Sequence, residues 1–320
     1  MMLLTYSRSI AEAMLQIFFL GAIGFILVRK KVISGEGVTG LTKLLIEVVF
    51  PALIFWQIIT KFDFSQFPHW WMISLLSIVI TVLGIGIGYI FSYSIKDKQA
   101  KREFMCLVGF QNAGYLPLTL LGWIVPKEQL STMLIYLFLF LLGFNLVIWS
   151  WGVFFLSAHK AKHFSMGSLF SPPVVATLAG FVCIILKIHQ VIPNFILSPL
   201  GMLGNCSFPL AVIVIGASLA ELYAGKSFAV GQMARLVLAK LIIMPLIGLV
   251  IIMYVKLPYL ISLLLILELS MPSATTLAIV ARKYGQKEML ISQGVFITHV
   301  VSLATLAVFL TLFNWIVFRA

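Results

Sequence analysis

Charged residues are scarce in this 320-residue chain, at 10% of the total, and the acidic ones are the fewest: 10 Asp and Glu against 22 Lys and Arg. About a quarter of the residues of an ordinary soluble domain are charged, so the deficit argues against a soluble fold. The formal net charge of +12 does not indicate nucleic-acid binding, because the cations are spread between apolar runs and form no basic face. We therefore expect no nucleic-acid partner.

Cysteine is also sparse. Cys106, Cys183 and Cys206 lie in apolar stretches and lack the spacing of a disulfide framework or a zinc site. No His-Glu-x-x-His motif or comparable nucleophile-and-base constellation appears either. We predict a chain that is not an enzyme and that needs neither a metal nor an organic cofactor, with a transported proton or sodium ion left open.

Apolar residues dominate what is present: 62% of the chain is hydrophobic and its mean hydropathy is +1.12. A membrane-spanning helix needs roughly 17 to 25 such residues. By that measure the sequence predicts about ten spans, at approximately 9–28, 39–60, 68–93, 104–123, 130–157, 170–187, 195–221, 229–255, 258–281 and 289–317. We expect an all-α membrane protein that forms a single unit in the lipid bilayer.

The distribution of lysine and arginine predicts the orientation. The loops after odd-numbered spans hold clusters such as Arg29-Lys30-Lys31, whereas the opposite side has about one cation per segment. Cytoplasmic loops carry the excess of positive charge, so we place the odd loops in the cytoplasm and both termini outside. The expected location is the cell (plasma) membrane.

Three pairs of short matches recur at offsets of 155 to 158 residues: Gly24-Phe25 with Gly180-Phe181, Phe50-Pro51 with Phe208-Pro209, and Leu116-Pro117 with Met271-Pro272. They predict two five-helix repeats, 1–157 and 170–320, joined by a short cytoplasmic linker at 158–169. Because five is odd, the second repeat must cross the membrane in the opposite sense. The repeat is therefore predicted to be inverted.

Two predicted spans, the fourth and the ninth, are interrupted by a proline among small and polar residues. Paired breaks in corresponding halves are typical of a transporter binding site, because lipid cannot satisfy the backbone groups that a break releases. Each break would also present a helix N-terminus to an anion. We predict that Pro117 and Pro272 begin the second half-helices, although prolines that only kink packed helices are the alternative. The candidate substrate-binding residues are Asn112, Gly114, Tyr115, Pro117, Ser270, Pro272, Ser273, Thr275 and Thr276.

Charged or titratable residues within predicted spans are functional hypotheses by default. Glu268 precedes Pro272 by four residues and is a candidate for carrying a coupling proton, with structural pairing to a cation as the alternative. Lys240 enters the eighth span from its cytoplasmic end, where its side chain can extend to the interface, although it lies deep enough in the span to be a candidate attractor for an anion. His299 is more typical of a hydrogen bond between helices than of a ligand.

Several segments together resemble the auxin efflux carrier family over essentially the full chain. They are Pro51, Gly109 to Leu118, Pro209 followed by Val214 to Leu219, and Met271-Pro272 leading to Ala281-Arg282-Lys283-Tyr284-Gly285. The resemblance implies a ten-helix inverted-repeat fold, related to bile-acid symporters and sodium-proton antiporters, in which spans 4 and 9 cross at their breaks. Asn112, Pro117 and Pro272 would be crossover residues, spans 1, 2, 6 and 7 a scaffold, and a homodimer would form through that scaffold.

The resemblance implies transport of organic anions: indole-acetate in plant carriers, malate and similar carboxylates in bacterial relatives. Here Ser273, Thr275 and Thr276 stand where plant carriers generally place a second asparagine, and the middle loop is short, as in a compact prokaryotic type. We expect a secondary transporter, a malate permease-like carrier of a small organic anion that works by elevator-like alternating access. A cation/proton antiporter or sodium-coupled symporter of the same fold is the alternative, and an indole carboxylate carrier is less favoured.

Overall fold

Long helices make up the protein in the computed structural model, which describes residues 2–156, 170–223, 230–283 and 289–317. The main helices in these ranges are α1 Met2–Arg29, α2 Gly35–Lys61, α3 Trp70–Phe91, α4 Lys98–Gly109, α5 Tyr115–Ile124, α6 Lys127–Leu156, α7 Pro172–Ile185, α8 Asn194–Leu222, α9 Val230–Tyr254, α10 Tyr259–Ser270, α11 Thr276–Lys283 and α12 Met289–Val317. The predicted linker at 158–169 lies outside the described residues.

Seven of these helices are long and apolar enough to cross a membrane: α2, α3, α6, α8, α9, most of α1 and nearly all of α12. Three shorter helices, α5, α7 and α10, are also apolar. Large apolar side chains on the outside, such as Phe19 and Ile90, are about two-thirds exposed. Such surfaces are favourable in lipid and costly in water. The predicted all-α, multi-pass membrane fold is confirmed, while the count of ten spans and the inverted repeat stay predictions.

Three long helices contain a wider, π-helical segment: Leu45–Val49 in α2, Ile148–Gly152 in α6 and Leu238–Ile243 in α9. In α2 and α9 a proline, Pro51 and Pro245 respectively, is the second residue after this segment. A proline inside a helix has no N–H to donate and its ring collides with the carbonyl four residues earlier, so a local widening of the helix accommodates it. Such segments also turn side chains to faces that regular helical spacing does not predict.

We divide the helices into two groups by their packing. In one group α1 lies against α8, and α2 lies against α7 and α8; in the other, α3 packs on α4 and α6, and α10 packs on α9 and α12. The groups also touch each other, through α1 with α12 and α5 with α8. The contact between α1 and α8 depends on glycine, since a Cβ atom at Gly24 or Gly216 would overlap the backbone of the opposite helix. Small residues at such crossings allow close approach of membrane helices. The first group contains the predicted spans 1, 2, 6 and 7.

Candidate functional site

Both predicted breaks are present in the structure. Helix α4 ends at Gly109 and α5 begins at Tyr115, while α10 ends at Ser270 and α11 begins at Thr276. Nearly all residues of the two intervening segments are buried. Non-helical backbone inside a membrane protein needs partners for its N–H and C=O groups, and here each break supplies them to the other.

The two breaks cross as a minimal pair of antiparallel strands. The backbone N–H of Asn112 donates to the carbonyl of Pro272 at 2.8 Å, and the N–H of Ala274 donates to the carbonyl of Phe110 at 2.9 Å. These two bonds flank Gln111 and Ser273, which form an isolated β-bridge. The bonds satisfy backbone groups that would otherwise be buried without partners.

Side chains complete the crossing. The Ser273 hydroxyl donates to the carbonyl of Leu107 in the last turn of α4 at 2.6 Å, and the Ser273 N–H donates to Thr298 Oγ1 on α12 at 3.2 Å. The Asn112 amide nitrogen lies 3.1 Å from His299 Nε2, and His299 Nδ1 lies 2.8 Å from the carbonyl of Val295. Because Nδ1 faces a carbonyl it carries the hydrogen, so Nε2 accepts from Asn112. The predicted role of His299 as an interhelical partner is confirmed.

A cavity of about 100 Å³ adjoins the crossing. This volume is enough for several water molecules or a small solute. Its polar lining comes from both breaks and from α6 and α7, and Phe50, Phe144 and Trp149 provide aromatic surface. None of the described residues that line it is Asp, Glu, Lys or Arg. The polar lining residues are Gln111, Asn112, Tyr115, Asn145, Ser171, Thr275 and Thr276.

Three helix N-termini meet at this cavity. Gly114 caps α5, Ser171 caps α7, and Thr275 and Thr276 stand at the start of α11; all four residues line the cavity. A helix N-terminus carries a partial positive charge and N–H groups without partners inside the helix. With no carboxylate among the described lining residues to oppose them, three such ends make the cavity electrostatically suited to an anion.

The structure brings five of the nine predicted substrate-binding residues to the cavity: Asn112, Gly114, Tyr115, Thr275 and Thr276. Pro117, Ser270, Pro272 and Ser273 lie outside its lining. The side chain of Ser273 is engaged with Leu107, as described above, and the Ser270 hydroxyl is buried without a hydrogen-bond partner among the described residues. The predicted set therefore divides into residues that face the cavity and residues that build the crossing or lie beside it.

The predicted helix starts need one correction. Pro117 is the third residue of α5 and lies in its first turn, where its missing N–H costs little. Pro272, however, does not begin a half-helix, because α11 starts four residues later at Thr276. Pro272 lies in extended chain, where its carbonyl accepts from Asn112. Pairing with the first break thus holds Pro272 in extended backbone conformation, and α11 begins only after it.

Sequence reasoning missed Ser171 and Asn145. The hydroxyl of Ser171 lines the cavity, is shielded from solvent and has no hydrogen-bond partner among the described residues. Asn145 lines the cavity and uses its amide nitrogen to donate to the carbonyl of Leu141 at 2.8 Å, which leaves its oxygen available. A serine directly before Pro172-Pro173 is a helix-start signal that could have indicated Ser171.

One of the two predictions for Lys240 was wrong, whereas its role as an attractor for an anion stays a prediction. Its side chain does not extend to the interface; it is fully buried, and its ammonium donates to the carbonyl of Val108 at 2.7 Å. Glu268 is likewise fully buried and does not line the cavity. These two charges lie inside the protein beside the crossing.

Comparison with known proteins agrees with this architecture. The family model described as "Membrane transport protein" matches residues 9–166 and 160–310. The chain belongs to this family. It is the family of the auxin efflux carriers, so the resemblance inferred from the sequence is confirmed. The chain is also similar to an uncharacterized transporter of Methanothermobacter thermautotrophicus, with 24% identity over 298 residues that cover 92% of this chain and 95% of the relative. This transporter is therefore a multi-pass membrane protein.

Proposed function

We propose that this transporter is a secondary carrier of small organic anions, malate or a related carboxylate, and that it binds them in the cavity at the helix crossing. The observation that carries the proposal is the meeting of three helix N-termini at a cavity without acidic side chains in its described lining. A carboxylate there gains from three positive helix ends and from neutral donors such as Ser171 and Thr275.

The size of the cavity supports a small substrate. Its volume of about 100 Å³ lies below the few hundred Å³ typical of sites for larger organic ligands. Trp149, Phe144 and Phe50 limit it on the apolar side. This favours a small carboxylate over an indole carboxylate.

The two helix groups support alternating access. The group that contains α1, α2, α7 and α8 would remain as a scaffold, while α3 to α6 and α9 to α12 would move with both crossed breaks. The cavity has lining residues from both groups, Ser171 from the first and Asn112 from the second. Movement of one group against the other would therefore open and close it, as in an elevator-like transporter.

We place the protein in the plasma membrane with both termini outside, as a homodimer formed through the scaffold.

The experiment is uptake of radiolabelled malate into proteoliposomes that contain the purified protein, with indole-acetate in parallel, under a proton gradient, a sodium gradient or none. We expect saturable malate uptake that exceeds indole-acetate uptake. A cation/proton antiporter is the second candidate, because Glu268 is buried beside the crossing. Dissipation of a proton or sodium gradient without movement of any carboxylate would favour it and contradict the anion carrier.

Asn112→Ala tests the location of the site. We expect uptake to fall about tenfold or more, because losing a hydrogen bond to the charged substrate carboxylate costs about 1.5 to 3 kcal/mol. His299 also loses its hydrogen-bond partner in this variant. Asn194→Ala is the matched control, because it makes the same change at an exposed position, the first residue of α8. This variant should transport normally. Normal uptake by well-expressed Asn112→Ala protein would remove Asn112 from the site.

A further inference from the structure

Two opposite charges lie fully buried behind the cavity: Lys240 on α9 and Glu268 on α10, each with 0% of its surface exposed. Charges at membrane depth are expensive to bury, and those that persist commonly mark ion or proton pathways. Neither residue lines the cavity. Their role must therefore differ from direct contact with the anion.

The position of Lys240 follows from the irregular part of α9. Lys240 lies within the π-helical segment Leu238–Ile243 and reaches the last turn of α4, where it donates to the carbonyl of Val108. A helix C-terminus carries partial negative charge, so an ammonium there is stabilised. This bond uses one of the three N–H groups of the ammonium, and the others remain available to a nearby carboxylate.

Glu268 has no comparably close partner. Its carboxyl oxygens meet no strict hydrogen-bond geometry with a described residue, and the amide of Gln111 is its polar neighbour. Helix α10, which carries Glu268, packs against the π-helical segment that carries Lys240, and no ion pair within 4 Å joins the two among the described residues. Burial of a carboxylate with so few hydrogen bonds is strongly unfavourable, and burial of the protonated acid costs much less. Binding a proton on Glu268, or a shift of Lys240 towards it, would therefore lower the free-energy cost of burying this carboxyl group.

Gln111 connects this pair to the cavity. It is fully buried, it is one of the cavity-lining residues, and neither atom of its side-chain amide has a hydrogen-bond partner within the described chain. Its amide lies near the Glu268 carboxyl group, outside strict hydrogen-bond geometry, so a small shift would let it donate. An amide between a carboxyl group and an anion cavity can respond to the charge on either side.

Other titratable groups on the helices packed around Lys240 are engaged elsewhere or neutral. Glu103 on α4 accepts from Gln99, Cys106 on α4 is a buried thiol, His299 on α12 bonds Asn112 and Val295, and half-buried Arg235 on α9 donates to Ser94. Glu268 is the remaining buried carboxyl group among the described residues, and its helix packs directly against the segment that carries Lys240. The two residues can therefore be treated as one pair.

We propose that Lys240, Glu268 and Gln111 form a proton-binding site that couples anion transport to proton symport. This inference rests on the proposed anion site. Glu268 takes up one proton from the side to which the site is open, while Lys240 keeps its ammonium, so the charge of the pair rises from zero to +1. The added positive charge favours an anion in the neighbouring cavity, and proton and anion leave together on the other side. Sodium is not required, because Lys240 already supplies a fixed cation.

The test uses proteoliposomes of the full-length protein loaded with a pH-sensitive dye, and it has two readouts. Malate counterflow at equal pH reports the anion site alone, and uptake under an acid-outside gradient reports coupling. For the wild type we expect the proton gradient to accelerate uptake at least fivefold and to acidify the lumen, whereas a sodium gradient has no effect.

Glu268→Gln imitates the protonated acid, so it should retain counterflow and lose the acceleration by the proton gradient. The double variant Lys240→Met with Glu268→Gln removes both charges and leaves no lone buried ion. It should also lose the acceleration, and its counterflow should be weaker than that of Glu268→Gln, because the pair can no longer reach a charge of +1. Lys61→Met, an exposed lysine at the end of α2, is the control and should match the wild type. The proton coupling is overturned if Glu268→Gln keeps counterflow and is still accelerated by the proton gradient. It is also overturned if a sodium gradient drives uptake by the wild type. Absence of counterflow in the wild type overturns the anion site, and the coupling falls with it.

Discussion

Ser171 shows at the scale of one residue how the cavity is prepared for a ligand. A serine that caps a helix normally accepts a hydrogen bond from the first turn, yet Ser171 makes no such bond, and its hydroxyl is shielded at the cavity wall without a partner among the described residues. An unsatisfied buried hydroxyl costs free energy in the empty protein. A bound carboxylate oxygen would accept from it and recover that cost.

Ser171→Ala should therefore weaken anion binding while leaving the fold intact. We expect the apparent affinity for malate to fall by roughly fivefold to thirtyfold, which corresponds to about 1 to 2 kcal/mol for a lost hydrogen bond. The measurement is the substrate dependence of initial uptake rates. Ser198→Ala, at an exposed position in α8, removes the same atom away from the cavity and serves as the control. An unchanged apparent affinity would show that Ser171 does not contact the substrate.

At the scale of elements, the crossing depends on the capping of α4 by the other break, by α9 and by the residue that follows α4. Three consecutive acceptors at the end of α4 are occupied from outside that helix or by its own cap: Leu107 by the Ser273 hydroxyl, Val108 by Lys240, and Cys106 by the N–H of Phe110. The final carbonyls of a helix have no partner within it. Inside a membrane protein they must be satisfied by neighbouring groups, and here the neighbours come from 130 or more residues away.

Ser273→Ala removes one of these caps and should destabilise the crossing. The carbonyl of Leu107 would remain buried without its partner, which costs about 1 to 3 kcal/mol. We expect a lower midpoint of thermal unfolding in detergent, together with reduced transport. Ser273→Thr retains the hydroxyl and should lose less stability. Equal midpoints for wild type and Ser273→Ala would mean that the bond contributes nothing to the native state.

The positions of the breaks could be predicted from sequence, because prolines among small polar residues are rare in apolar spans and have a direct backbone consequence. The pairing of Asn112 with Pro272 could not be predicted by such local reasoning, since it joins segments distant in the chain. It is this pairing that extends the second break to Thr275 and delays the start of α11. The bond made by Lys240 could not be predicted for a related reason: depth along a regular helix reveals neither the π-helical segment around this residue nor the acceptor on α4.

At the scale of the whole molecule, the proposed mechanism requires α5 to move against α8. The two helices are joined by a hydrogen bond from Thr119 Oγ1 to the carbonyl of Phe208 at 3.0 Å. A bond of the same type, from the Ser207 hydroxyl to the carbonyl of Val49 at 3.4 Å, joins α8 to α2 within the proposed scaffold. These two contacts lie next to each other on α8, yet one crosses between the helix groups and the other does not.

Cysteine pairs at these contacts distinguish a moving assembly from a rigid one. In a background without Cys106, Cys183 and Cys206, a bifunctional thiol reagent that links Thr119→Cys to Phe208→Cys should stop malate uptake, because the substrate cavity can then face only one side. The same reagent on Val49→Cys with Ser207→Cys should leave uptake nearly unchanged, since both residues belong to the scaffold. Cleavage of the link should restore transport by the first pair. Full uptake by linked Thr119→Cys/Phe208→Cys protein would contradict the movement of one helix group against the other, because a fixed contact between α5 and α8 would then be compatible with the complete transport cycle.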